Sequence, residues 1–208
     1  MGVKDQSVEE FLASVAAPTP TPGGGSASAL AGALSVALSR MVAGLARGKK
    51  GYEGAEPVLI QIETNARATQ ARLEALVDED AQAYEAVLAA TRMPKTTSSE
   101  KATRVEAMQS AYRKATEVPL ETMRRCIEAL ELAEAAVKKG NRGATTDAGV
   151  AILLAEAAIR GSSLNCYVNL AATKDEAFRD RVEEEADRLL KRADAIGHEA
   201  MAVVSSRL

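Results

Sequence analysis

Tryptophan is absent, aromatic residues are 3% of the chain, and histidine occurs once, at His198. So few rings exclude the stacking platforms that bind single-stranded nucleic acid. Cysteine is scarce. Cys126 and Cys166 are the only two, too few for a disulfide framework or a cysteine-built zinc site. With one histidine, a multi-histidine metal centre is also excluded. Neither sign of charge dominates, with 26 Lys plus Arg against 29 Asp plus Glu and a net charge of −3. That balance argues against binding driven by phosphate neutralisation, so no nucleic-acid partner is expected. No basic segment followed by an apolar run opens the chain, so no signal peptide is read. The most apolar stretch, 27–46, contains Arg40 and three serines and is built mostly of alanine. It reads as a buried helix of a bundle rather than a membrane span. The expected compartment is the cytoplasm.

What the chain does have is alanine, roughly a fifth of its residues and far above ordinary usage. Alanine has the best helix propensity and lets helices pack closely. The 208 residues, 47% of them apolar, suffice for one domain with a real core, so residues 1–208 read as a single unit. A period near 3.6 runs throughout, and no alternating strand pattern of useful length occurs. Ser7 caps a short helix whose Val8, Phe11, Leu12 and Val15 share one face. Three prolines and three glycines then forbid helix over 17–25. A helix is expected from Gly25 or Ser26 to about Arg47, followed by a Lys/Gly loop over 48–54. A long helix from 55 to 91 places Leu59, Ile62, Ala66, Leu73, Leu76, Ala83 and Val87 on one seam, with Pro57 tolerable in its first turn. Further helices are expected near 99–116, 119–139, 146–161, 162–172 and 174–206. Short loops make neighbours antiparallel. The reading is all-α, a single-domain antiparallel helical bundle with long helices.

Several residues break this pattern. Asp80 falls on the core-facing seam of the long helix, where a carboxylate costs free energy unless it is paired or meets a cationic ligand. Pro22, Gly23, Gly24, Gly25 and Ser26 open a helix: free N–H groups there favour an anion, and missing side chains admit a ligand closely. Capping by Ser26 is the simpler account of the same residues. A second polar turn, 140–149, contains Asn141, Thr146 and Asp147; Asp147 in a first helical turn complements the helix dipole whatever else it does. Asn165 and Asn169 share one side of a helix, and buried amides need partners. Lys49 and Lys95 offer mobile cations beside turns, although exposed lysines are usually just solvated.

Taken in order, these segments resemble the cyclodeaminase/cyclohydrolase family of folate enzymes. The first signature is Pro20 to Ser26, with Arg40-Met41-Val42-Ala43-Gly44-Leu45 and Gly48-Lys49-Lys50. A second is Asp80-Ala81-Gln82-Ala83-Tyr84 with Pro94-Lys95. The third is Gly140-Asn141 through Thr146-Asp147-Ala148-Gly149-Val150, with Asn165 and Tyr167-Val168-Asn169-Leu170. Two departures are visible: Thr146 stands where serine is common, and Gly51 interrupts a longer basic run. The resemblance implies an all-α homodimer without cofactor, acting on one-carbon derivatives of tetrahydrofolate. Such enzymes hydrolyse 5,10-methenyltetrahydrofolate to 10-formyltetrahydrofolate, or cyclise 5-formiminotetrahydrofolate to the methenyl compound with loss of ammonia. It also implies Asp80 and Asp147 as catalytic residues, their roles interchangeable at this stage. Pro22, Gly23, Gly24, Gly25, Ser26, Lys49, Lys95, Asn141, Thr146 and Asn165 are the implied substrate contacts. The 208 residues leave no room for a formiminotransferase domain, which favours the cyclohydrolase. The non-enzymatic alternative is a folate-binding or scaffold protein.

Overall fold

The computed structural model describes residues 2–208, in which six α-helices and three single 3₁₀ turns are the only regular elements. Helix α1 is Val8–Ala16, α2 Gly24–Gly44, α3 Glu56–Thr91, α4 Ser98–Lys139, α5 Thr145–Leu170 and α6 Glu176–Ser205. The all-α bundle expected from the sequence is the fold observed. Ser7 caps α1 as expected, its hydroxyl accepting from the Glu10 N–H while the Glu10 carboxylate accepts from the Ser7 N–H. Of the apolar face of α1, only Phe11 packs against the core; Val8, Leu12 and Val15 are exposed.

Helix α2 is central and packs on α3, α4 and α5. Its neighbours α3 and α5 run antiparallel to it. Ser26 meets Val77 near one end and Arg40 meets Gln70 towards the other. Small residues permit this crowding. A β-carbon on Gly32 would lie 2.6 Å from the Cys126 sulfur, and one on Gly161 would lie 2.4 Å from the Ser28 hydroxyl. The α3 seam is buried as expected, from Leu59, Ile62, Ala66, Leu73 and Leu76 to Ala83 and Val87; each fully buried leucine contributes about 1.5–3 kcal/mol. By length and mean hydropathy (1.4) α2 also resembles a membrane span, but here its small-residue faces pack against three other helices.

Two expected helix breaks do not occur. Gly161-Ser162-Ser163 continues α5, and the missing side chain of Gly161 makes room for Ser28 of α2 rather than ending the helix. Pro119 lies inside α4. A proline there removes the N–H that the carbonyl four residues earlier requires. That carbonyl, on Ala115, instead accepts from the Asn169 side-chain amide at 2.7 Å. Replacing Asn169 by leucine leaves this buried carbonyl unpaired and is expected to cost about 1–3 kcal/mol. A lower denaturant midpoint at unchanged slope is the measurement; an unchanged midpoint would mean that water replaces the amide.

Candidate active site

One cavity, of about 210 Å³, opens at the end of the bundle where α2 begins. Its wall is the strap Pro20–Gly25, its floor is Asp80, and Tyr84, Asn165 and Asn169 close the sides. Each comes to this point for a local reason. Proline and glycine hold the strap out of helix up to Gly23, which caps α2 without a side-chain bond. The N–H groups of the first α2 turn have no acceptor within the helix, and that of Ser26 is directed at the Asp80 carboxylate. Helix α3 presents Asp80 and Tyr84 four residues apart on one face, and α5 does the same with Asn165 and Asn169.

Asp80 backs onto Gly25. A β-carbon at position 25 would lie 2.0 Å from one carboxylate oxygen, so glycine is required for the carboxylate to sit where it does. The other oxygen accepts from the Ser26 hydroxyl at 3.0 Å. Burial pushes the Asp80 carboxyl above its ordinary value, and hydrogen bonds from Ser26 offset part of that shift. Asn165 donates its amide to the Gly161 carbonyl at 2.9 Å, which leaves its side-chain oxygen available to accept from a ligand N–H. Gly25→Ala is expected to displace the carboxylate and lower turnover about a hundredfold in a folded protein. Turnover near the parent rate, with a normal melting curve, would show that the Gly25–Asp80 contact is dispensable.

The structure brings Gly23, Gly24, Gly25, Asp80 and Asn165 together around the cavity, with Pro22 in the strap and Ser26 behind Asp80, and separates Lys49, Lys95, Asn141, Thr146 and Asp147 from them. Ser26 is not the cap of α2, which is Gly23, and it does not line the cavity: it is fully buried, in the first helical turn, behind Asp80. Lys95 is exposed in the turn between α3 and α4 and does not line the cavity. Lys49, Asn141, Thr146 and Asp147 lie at the opposite end of the bundle, where α2 ends and α5 begins. Along α5 alone, Asp147 and Asn165 are about 27 Å apart. Asn141 is used there in fastening the turn: its amide donates to the Leu45 carbonyl at 2.9 Å and its oxygen accepts from the Gly143 N–H at 2.8 Å. A basic groove of about 450 Å³ lies beside it, lined by Tyr52, Lys138, Lys139 and Arg142.

Tyr84 and Asn169 are cavity residues that sequence reasoning did not place among the site residues. The signal was present in both: each stands four residues beyond a predicted site residue, and that spacing returns a helix to the same face. Neither cysteine belongs to the site. Both are free and buried, and burial raises both thiols, Cys166 to about 12. A larger groove of about 570 Å³ between α3 and α4 contains none of the motif residues.

Comparisons with known proteins place the chain in a family. Residues 7–188 match the family model described as formiminotransferase-cyclodeaminase. The methenyltetrahydrofolate cyclohydrolase of Methylorubrum extorquens is 39% identical over 204 residues, 98% of each chain. The formimidoyltransferase-cyclodeaminase of Rattus norvegicus is 33% identical over 193 residues; these are 91% of this chain but 35% of that protein. Among solved structures, the formiminotetrahydrofolate cyclodeaminase of Thermotoga maritima superposes with a TM-score of 0.88 at 28% identity, covering 98% of both chains. With a matching model over most of its length, a relative aligned end to end and the same fold, this chain belongs to the formiminotransferase-cyclodeaminase family.

Proposed function

We propose that this protein is a methenyltetrahydrofolate cyclohydrolase, hydrolysing 5,10-methenyltetrahydrofolate to 10-formyltetrahydrofolate in the cytoplasm. The observation that carries the choice is the end-to-end similarity to the cyclohydrolase, at 39% identity. A cyclodeaminase of the same extent, the Thermotoga structure, stands at 28%, so the second reading is cyclisation of 5-formiminotetrahydrofolate with release of ammonia.

The substrate carries a delocalised formamidinium cation, and Asp80 is the carboxylate at the floor of the cavity. Its charge stabilises that cation and orients water towards the methenyl carbon. As water attacks, the new C–O bond forms and Asp80 takes one proton from it. The C–N5 bond then breaks, N5 takes a proton from Asp80, and the hydroxyl proton leaves as the formyl C=O forms. One proton is released overall, which balances the lost positive charge. The Asn165 oxygen and the N–H groups of the α2 start hold the ring system in place.

At about 210 Å³ the cavity is smaller than the ~300–1,000 Å³ that enclose a whole drug-sized ligand. It suits the fused rings and leaves the glutamyl tail outside. A homodimer supplies the rest of the site in this proposal. Leu34 and Met41 on α2 and Val150, Leu153, Leu164 and Val168 on α5 are exposed, an apolar ridge that joins the two ends of the bundle. A two-fold axis across the middle of that ridge sets the Asp147 end of one subunit beside the Asp80 cavity of the other. Lys49 and the basic groove then face the anionic tail.

The test is a paired absorbance assay following the methenyl chromophore from both sides. Loss of the methenyl compound above the buffer rate, unaffected by a chelator, is the expected result. Methenyl formation and ammonia release from the formimino compound would establish the cyclodeaminase. Silence in both, with folate binding retained, would leave a binding protein.

A further inference from the structure

Ser26 is among the most deeply buried polar side chains, and its hydroxyl faces two acceptors at once. Oδ2 of Asp80 and the backbone carbonyl of Val77 each lie 3.0 Å from Oγ. A hydroxyl has one hydrogen and two lone pairs, so it donates to only one of them at a time. A carboxyl group that takes and returns a proton passes through three forms, and this arrangement suits each. In the charged form the Ser26 hydrogen points at Oδ2. With the proton on Oδ1, Oδ2 is a carbonyl oxygen and still accepts from Ser26. With the proton on Oδ2, that O–H donates to Oγ and the Ser26 hydrogen turns to the Val77 carbonyl. No heavy atom has to move.

The rest of the cavity has no comparable partner for Asp80. From α3 the one other titratable side chain lining it is Tyr84. From α5 the neutral amides Asn165 and Asn169 face it, α4 contributes Ala115, and the strap contributes Thr21, whose hydroxyl meets Glu85 at the rim. Among the described residues no Lys, Arg, His or second carboxylate lines the cavity. Oδ1 lies against Gly25, where nothing but a hydrogen fits, so the carboxyl group is held between a glycine and a reversible hydroxyl.

We propose that Ser26 is a positioning residue for the hydrolysis: it holds the Asp80 carboxyl in one orientation through every protonation state, by exchanging its hydrogen between Asp80 and the Val77 carbonyl. The proposal rests on the cyclohydrolase reading for its activity measurement, and it has a second measurement that does not.

Ser26→Ala removes both hydroxyl contacts and keeps the Ser26 backbone N–H that also bonds Asp80. It is expected to lower kcat about tenfold or more, with KM within about threefold, since Ser26 does not touch substrate. The charged form of Asp80 loses a donor, so the acid limb of the pH–rate profile moves up by about half a unit or more. Ser26→Thr keeps the hydroxyl and restores the limb, even where its extra methyl lowers stability. Ser26→Cys, close in shape but a far weaker donor, carries the test if the alanine variant does not fold, and moves the limb the same way. The independent readout is the Asp80 side-chain carbon resonance, titrated by NMR in the parent and in each variant, which needs no turnover. An upward titration shift in the alanine or cysteine variant, with the threonine variant at the parent value, supports the proposal. Unchanged titration, or a fall in kcat without movement of the limb, overturns it and reduces Ser26 to a packing residue. An inert parent protein whose Asp80 titration still responds to Ser26 would sink the cyclohydrolase reading and leave the hydrogen-bond exchange standing.

Discussion

Asp80→Asn lowers the rate of methenyl hydrolysis by about 10²–10⁴-fold, the range for loss of a general base, and does so in a protein at least as stable as the parent at neutral pH. The stability half follows from the direction of the Asp80 shift. Burial raises its pKa in the fold above the ordinary 3.8. A carboxyl whose folded pKa is raised contributes stability that is fully present below its unfolded pKa and is lost as the pH rises through the folded value. At pH 7 the charged group is therefore held in the fold at a cost. Asparagine removes the charge and keeps an oxygen for Ser26 to donate to. Thermal melts of the two proteins should place the variant level or higher at pH 7, with any advantage shrinking as the pH falls through the raised folded pKa and gone below the unfolded one. A variant that melts well below the parent would make Asp80 a structural carboxylate. One that hydrolyses within tenfold of the parent would remove it from the chemistry.

Mixing two inactive proteins should produce an active one. If Asp147 of one subunit serves the Asp80 cavity of the other, Asp80→Asn and Asp147→Asn homodimers each contain two broken sites. A mixed dimer has one site with both defects and one with neither. Random reassociation after mild denaturation makes half the dimers mixed, each with one working site of two. Recovery of about a quarter of the parent activity is then the expected ceiling. No recovery, from a mixture shown by mass to contain heterodimers, would confine the site to one chain. Asp147 would then return to the role its position alone suggests, a negative charge in the first turn of α5. Disruption of the ridge, as in Leu153→Glu with Leu164→Glu, should yield monomers and abolish the recovery with them.

How much of this was legible beforehand differs from residue to residue. Asp80 stood out because a charge on an otherwise apolar seam violates the period that places it there. Gly25 was legible only as a surplus of glycine. That its missing side chain makes room for the Asp80 carboxylate depends on α3 crossing α2 at that turn, a contact between residues 55 apart. Ser26 was misjudged for the same reason: a serine two residues into a helix satisfies the local signature of a cap, and only the packing of α3 turns it inward. Pro119 signalled a break because local rules assign its orphaned carbonyl no partner. Asn169, on another helix, supplies one.

Composition and period by themselves determined that this protein is a bundle of long, closely packed helices, since helix propensity and amphipathic spacing act within a few residues of one another. Order and spacing of its motifs likewise pointed to the family. Which motif residues share a cavity was decided only by the tertiary structure. The two ends of the bundle look equally polar in one dimension, and a helix of rise ~1.5 Å per residue separates signatures that sequence order sets side by side. Asp80, Gly25 and Asn165 meet because α2, α3 and α5 cross at one end. Asp147 stands at the other because α5 is a single unbroken rod.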